Sequence, residues 1–201
     1  MSKPEMITLK YGDATIKMPS SHLAKVAIAS VFAQVLPPAA SVQPIAQTDI
    51  PAIGKPWPGQ GGINGGLVAA RGDVPEHYLI IAIEDAGSHE WGRRGEASGA
   101  TSKTDGLANS AVLLEEGSHP AAKAASNYTA DNHNDFYLPA AAELYRGWVN
   151  CPEVFAQDCY YWSSSQRSAY YAFGLYFDGG LQDSRVKDLE LRVRPVRRLF
   201  I

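Results

Sequence analysis

Residues 173–180 read FGLYFDGG, and their alternation decides what kind of domain surrounds them. Phe173, Leu175 and Phe177 fall on one side of an extended chain, with Gly174, Tyr176 and Asp178 on the other, because successive side chains of a strand point to opposite faces. Asp178-Gly-Gly180 is a turn signal. Further on, Leu189, Leu191 and Val193 alternate with Glu190, Arg192 and Arg194. This predicts a closing strand that Pro195 leaves at a sheet edge, since proline has no N–H to give to a ladder. Roughly the last forty residues therefore read as half-buried antiparallel sheet.

Working outward, HYLIIAI at His77–Ile83 is a continuous apolar run between Pro75 and Asp85-Ala-Gly87, as expected of a buried central strand. A helix is predicted from Pro139 to Val149, with Pro139 in its first turn and Leu144, Tyr145 and Trp148 on one face. Between them, Glu90–Asn134 is long, glycine-rich and polar and reads as irregular chain. Nearer the start, Ile7–Met18 alternates around Gly12-Asp13 as a hairpin. Ser20 or Ser21 then caps a helix carrying Leu23, Val26, Ala27, Val31, Phe32 and Val35, ended by Pro37-Pro38.

Ala39–Gly66 is rich in proline, glycine and small residues and predicts a surface-wandering linker at a domain boundary. The expected organisation is a hairpin-helix module over residues 1–50 and an α+β domain over residues 51–201. A module of that size rarely buries enough surface alone, which suits attachment or oligomerisation, the alternative being that it packs on the main domain.

Eighteen lysines and arginines against twenty-one aspartates and glutamates, net charge −3, offer no electrostatic reason for a nucleic-acid partner. Arg192, Arg194, Arg197 and Arg198 cluster near the end and read as structural. MSKPEMITLK lacks the apolar run of a signal peptide, and no stretch has the length of a bilayer-spanning helix, so cytoplasmic synthesis without membrane insertion is expected. Cys151 and Cys159 match neither zinc nor redox spacing and read as free buried thiols, with a disulfide as the alternative.

Other clusters carry weaker signals. Asp131, Asn132, Asn134 and Asp135 make an oxygen-rich loop without EF-hand spacing, so a solvated turn is expected. His22, His77, His89, His119 and His133 show no metal spacing. Ser163, Ser164 and Ser165 lack the G-x-S-x-G surroundings of a nucleophile and read as turn-forming or loop-capping residues. No cofactor or metal is expected.

Four stretches, Thr104-Asp-Gly-Leu-Ala-Asn109, Asp135-Phe-Tyr-Leu-Pro139 with Glu143-Leu144, Tyr161-Trp-Ser-Ser-Ser165 and Arg192-Val-Arg-Pro-Val-Arg197, occur in an order that resembles a bacterial and phage family of C-type lectin fold. That family includes the variable proteins of diversity-generating retroelements. The resemblance covers about residue 61 to the end. It implies a domain of two helices and small antiparallel sheets, with a variable region at about residues 161–192. Variation there arises by mutation at template adenines, mostly in AAC-type codons. Such codons yield Tyr, Ser, Asp, Gly, Arg, Phe or Asn and never Lys, Glu, Gln, Met or Trp.

On this resemblance the variable positions begin with Arg167, Ser168, Tyr170, Tyr171, Gly174 and Tyr176. They continue with Asp178, Gly180, Asp183, Ser184, Arg185 and Asp188, and none is of a forbidden type. Trp162, Gln166, Ala169, Ala172, Phe173, Leu175, Phe177, Gln182, Lys187 and Glu190 fall on framework positions, Phe173 standing where the family usually carries Trp. The residue chemistry points to the same stretch. Tyrosines give rigid amphipathic contact area at low entropic cost, and Ser, Gly and Asp adapt to polar partners, as in antibody paratopes. The alternative is that these tyrosines are half-buried sheet residues.

The function expected from the resemblance is non-catalytic binding of a protein or glycan receptor on a host cell or other surface. A phage tail fibre in the virion is the implied setting, with homo-oligomerisation open. Two alternatives remain. One is an enzyme, since the same fold includes the formylglycine-generating oxidases, which depend on active-site cysteines; here Cys151 and Cys159 lie near the Pro139 helix instead. The other is a structural subunit using residues 170–188 as a fixed interface between copies.

Overall fold

The computed structural model of the chain describes residues 6–11, 14–20 and 50–200. Contacts divide the chain into two units, Met1–Gln43 and Pro44–Ile201. In the first, β1 (Met6–Tyr11) pairs antiparallel with β2 (Ala14–Pro19), Tyr11 opposite Ala14, which is the hairpin the alternation predicts. The helix expected over residues 23–35 lies outside the described residues.

The second unit is α+β, with two sheets and three α-helices among the described residues. The four-stranded sheet runs β11-β5-β4-β3, from β3 (Pro56–Trp57), β4 (Gly62–Val68), β5 (His77–Ala82) and β11 (Val196–Phe200), all antiparallel. The five-stranded sheet runs β6-β10-β7-β8-β9, from β6 (Ser88–Glu90), β7 (Tyr160–Gln166), β8 (Tyr171–Tyr176), β9 (Leu181–Val186) and β10 (Glu190–Arg192). Its β10–β7 pair is parallel and the others antiparallel.

The closing strand predicted over residues 189–194 is the shorter β10, and a strand that was not predicted, β11, follows it in the other sheet. β10 sits inside the five-stranded sheet, and β11 is the edge of the other. Val193, Arg194 and Pro195 cross between them, all buried. The Pro195 carbonyl accepts from Ala82 N at 2.9 Å, so the proline marks the crossing and not a strand edge. The part of the predicted linker that is described is also ordered, because β4 lies between β3 and β5. Glycine is required there: a Cβ on Gly62 would stand 2.3 Å from the Ile81 carbonyl oxygen, so a composition that reads as loop is what permits close strand approach.

The segment expected to be irregular holds two helices, α1 (Gly106–Glu116) and α2 (Pro120–Asn127). Asp105 caps α1, its Oδ1 accepting from Ala108 N at 3.0 Å. The positions that α1 buries are Gly106, Asn109, Ser110 and Leu113, and α2 buries three alanines. Small and polar inward faces leave no apolar period to read. The third helix, α3 (Ala141–Asn150), begins after Pro139 and Ala140, with Glu143 Oε2 accepting from Ala140 N at 2.8 Å. Leu144 faces inward, whereas Tyr145 on the expected common face is exposed.

Two apolar cores fix the five-stranded sheet from opposite sides. One joins Leu79, Ile81, Leu144, Phe155, Tyr161, Leu175 and Phe177. The other joins Trp91, Leu113, the α2 alanines, Leu138, Trp162, Ala172 and Val193. The arginine cluster is structural: Arg194 Nε donates to Asp85 Oδ1 at 2.6 Å, Arg197 Nε to Asp135 Oδ1 at 2.8 Å, and Arg198 Nη2 to Asp105 Oδ1 at 2.8 Å and Glu143 Oε1 at 3.1 Å.

Candidate functional site

The three serines set the geometry of β7. Trp162 stands opposite Gly174 and Gln166 opposite Ala172, so three residues on β7 oppose the single Phe173 and the strand bulges. Ser163 Oγ donates to Phe173 O at 2.8 Å, Ser165 Oγ to Ser102 O at 2.7 Å, and Ser164 Oγ accepts from Asn109 Nδ2 at 3.2 Å. All three are buried. They are strand residues that hold a bulge, and not the turn-forming residues expected.

Cross-strand partners share a face, so the β8–β9 register sorts the site residues. Tyr176, Gly174 and Ala172 oppose Leu181, Asp183 and Arg185, and Tyr160 of β7 opposes Tyr176. On this face the Tyr160 and Tyr176 rings lie 5.0 Å apart. The Arg185 guanidinium sits 3.8 Å from the Tyr160 ring centre, in the range of a cation–π contact, and 3.9 Å from Asp183. The other face carries Tyr171, Phe173 and Leu175 opposite Val186, Ser184 and Gln182. Leu175 is wholly buried there, and half-buried Phe173 lies under Lys103 Nζ at 4.6 Å.

The candidates therefore divide between two faces and a rim. Tyr170, 54% exposed, and Tyr171, 42% exposed, stand on a tight connection with Arg167 and Ser168, which are also exposed. The N–H groups of Arg167 and Ser168 both donate to Tyr171 O, at 2.9 and 3.0 Å. Asp188 on the neighbouring turn pairs with Arg94 at 2.8 Å. Asp178 and Asp183 are exposed, and Tyr176, Ser184 and Arg185 half-buried.

Two candidates are confined: a side chain at Gly174 would be tight, and at Gly180 it has no room. Gly174 is buried, and a Cβ there would lie 3.1 Å from Tyr161 O. Gly180 has φ +70°, and a Cβ would lie 2.4 Å from Trp148 Cε2.

The rim is held by buried framework residues. Lys187, fully buried, donates from Nζ to Glu96 O and Gln166 Oε1, both at 2.8 Å, and lies 4.4 Å over the Trp91 ring. Its backbone N–H donates to Tyr170 O at 3.1 Å. Gln166 in turn accepts from Ser98 N at 2.7 Å and donates to Ser98 O at 2.8 Å. Trp162 is fully buried, its Nε1 donating to His89 O at 2.9 Å. The exposed connection is thus bolted to residues that cannot move without breaking buried hydrogen bonds, which is the preorganisation a contact surface requires.

Tyr160, Arg94 and Lys103 join this surface without having been singled out in the sequence. Tyr160 has a readable signal, since it lies two residues before Trp162 and so shares its face. Arg94 and Lys103 come from distant chain and carry none.

The thiols are unlike those of a nucleophile. Cys151 and Cys159 are free, Cys151 fully buried. Burial pushes the Cys151 thiol up to about 11, with Glu153 adding to it, and burial likewise raises Cys159. A reactive thiolate needs the opposite shift. In the oxygen-rich loop, Asp131 Oδ2 accepts from Gly61 N at 3.0 Å and Asp135 pairs with Arg197. Among the described residues no three His, Cys, Asp or Glu side chains are grouped to hold a metal ion. No helix among them is long and apolar enough to cross a membrane. No family model matches the sequence, and no match is found among curated proteins.

Proposed function

We propose that this chain is a non-catalytic receptor-binding protein of C-type lectin fold, related to the variable proteins of diversity-generating retroelements. Its contact surface is the β8–β9 hairpin with its rim, and its partner a protein or glycan on a host cell or other surface. A phage tail fibre is the proposed setting. The observation that carries this is the separation of roles within one short stretch. Tyr170, Tyr171, Asp178 and Asp183 are exposed, while Trp162, Gln166, Leu175, Phe177 and Lys187 between and beneath them are buried. Aromatic anchors beside adaptable polar residues on a rigid support are what a paratope needs. The surface variable in this sense comprises Arg167, Ser168, Tyr170, Tyr171, Tyr176, Asp178, Asp183, Ser184, Arg185 and Asp188. Gly174 and Gly180 belong with the support.

The test applies the labelled chain to a glycan array and to intact bacterial cells, beside a variant with Tyr170, Tyr171 and Tyr176 all changed to Ala. Saturable binding that the triple variant loses, at an unchanged unfolding midpoint, supports the proposal. Undiminished binding by the triple variant, or its loss of folding together with binding, overturns it.

A further inference from the structure

A cavity of about 350 Å³ lies between the first turn of α3 and the β8–β9 pair, walled by Lys103, Ala141, Ala142, Tyr145, Phe173 and Gln182. Its size is at the lower end of small-molecule sites, roughly 300–1,000 Å³. A closed ring of contacts turns these residues towards one space. Lys103 Nζ stands 4.6 Å over the Phe173 ring centre. Phe173 lies opposite Ser184 and Leu175 opposite Gln182, so Phe173 and Gln182 are diagonal neighbours on one face, within reach of an aromatic and a long side chain. Gln182 Nε2 donates to Ala141 O at 3.3 Å, and Ala142 N donates to Lys103 O at 2.9 Å, which closes the ring. Tyr145 follows one turn along α3, 41% exposed, its ring braced by that of Trp148 at 5.3 Å.

The polar groups of this ring define the ligand. The N–H groups of Ala141 and Ala142 are engaged, by Ser165 Oγ at 3.0 Å and by Lys103 O, so the donors left to a ligand are on side chains. Lys103 Nζ donates to Gln166 O at 2.8 Å and to Thr101 O at 3.2 Å. An ammonium has three N–H groups, so one remains. No wall residue is acidic. Burial first and the Arg167 charge second lower the Lys103 pKa, a position that an anion relieves. Gln182 spends an N–H on Ala141, and its Oε1 accepts from no group among the described residues, so it is free to take a hydroxyl. The faces of Phe173 and Tyr145 are negative and suit the slightly positive C–H bonds of a sugar ring. An acidic peptide side chain could pair with Lys103, but it has no ring of C–H bonds to cover both aromatic side chains.

We propose that this cavity binds one acidic sugar residue, a uronic acid or a sialic acid at the end of a glycan. Its carboxylate takes the spare N–H of Lys103, its ring lies against Phe173 and Tyr145, and a hydroxyl donates to Gln182 Oε1. The role of the site rests on the receptor-binding reading, to which it gives a glycan of stated charge, since Tyr171 and Ser184 stand beside Phe173 on the same face.

The test titrates the full chain by NMR with methyl β-D-glucuronide and methyl α-sialoside, with the neutral methyl β-D-glucoside, and with N-acetylglutamate N-methylamide as the acidic peptide. The expected result is a saturable shift of the Lys103, Ala142, Phe173 and Gln182 amides by one or both acidic sugars, with a Kd on the order of 1–10 mM. The probe that responds tells a uronic from a sialic source. The glucoside and the peptide bind roughly ten-fold more weakly. Lys103→Gln removes the preference for the acid while leaving the glucoside affinity unchanged, and Tyr145→Ala, on an exposed helix position, weakens both kinds of sugar. No saturable shift with either acidic sugar, equal affinity for the glucoside, equal affinity for the peptide, or an unchanged acid preference in Lys103→Gln overturns the proposal. None of Tyr170, Tyr171 and Tyr176 lines the cavity, so the triple variant keeps the acidic-sugar shift. Tyrosine-dependent binding to cells without any acidic-sugar shift thus overturns this site alone, whereas the shift together with tyrosine-independent cell binding overturns the receptor surface and leaves the site standing.

Discussion

Replacing Gly180 by serine, a residue that template-directed variation permits, puts a side chain where the scaffold has none to spare. The backbone at Gly180 has φ +70°, and a Cβ would meet Trp148 Cε2, Cζ2 and Cδ2 at 2.4, 2.5 and 2.7 Å. Trp148 cannot swing clear without breaking the bond from its Nε1 to Phe177 O at 3.0 Å. Left-handed backbone costs a non-glycine residue about 1–2 kcal/mol, and overpacking about 1–3 kcal/mol. Gly180→Ser is therefore expected to destabilise by about 2–5 kcal/mol. Gly179→Ser separates the contributions, because Gly179 has φ +83° but open space around its Cβ, so only the backbone cost of about 1–2 kcal/mol applies. Asp183→Tyr, at an exposed position, stays within about 0.5 kcal/mol of the parent. Urea unfolding reads all three, since a slope of about 1–3 kcal/mol per molar turns the Gly180 loss into a midpoint shift of about 0.7 M or more. A Gly180→Ser midpoint equal to that of Gly179→Ser would refute the assignment of Gly180 to the support.

Further expectations concern the scaffold. Arg198→Met strips the buried Glu143 of its guanidinium partner and is expected to cost about 3–5 kcal/mol in urea unfolding, of which adding Glu143→Gln restores at least about 1 kcal/mol because no lone charge remains. Burial holds the His77 pKa below its ordinary 6.5, so its contribution to stability is full above that value and is lost as pH falls below it. Urea midpoints should thus fall from about pH 7.5 to about pH 5.5, and less so in His77→Phe. Towards a disulfide reagent at pH 8, roughly, half-buried Cys159 should react before unfolding and fully buried Cys151 only with it. Equal rates would contradict the packing described.

The sequence was most readable where a half-buried strand leaves a period of two. Phe173, Leu175 and Phe177 share a side as their alternation predicts, and Leu175 and Phe177 are wholly buried. His77–Ala82 declared itself as a central strand by unbroken apolarity. Helix α1 was not legible because its inward face is Gly, Asn, Ser and a single Leu, recognised through hydrogen bonds such as Ser110 Oγ to Leu138 O at 3.2 Å. The strand Val196–Phe200 went unread because Val-Arg-Arg-Leu-Phe has no period of two.

At the site, the candidate types and their alternation along β8 were readable, but not which β9 residues they face, such as Asp183 opposite Gly174, nor the bulge in β7 built by serines bonded to distant chain. The support beneath Tyr170 was equally hidden, because Lys187 reaches Glu96 O across ninety-one residues of sequence.

The most direct test is to sequence this coding region from many members of one host population, beside a search for a near-copy of its final segment next to a reverse transcriptase. The account predicts substitutions confined to codons such as those of Tyr170, Tyr171, Tyr176, Asp183 and Arg185, each at an adenine of the copy, with Trp162, Ala172, Gly174, Leu175, Gly180 and Lys187 unchanged. Substitutions falling equally on those buried positions, or no adenine-bearing copy at all, would contradict it.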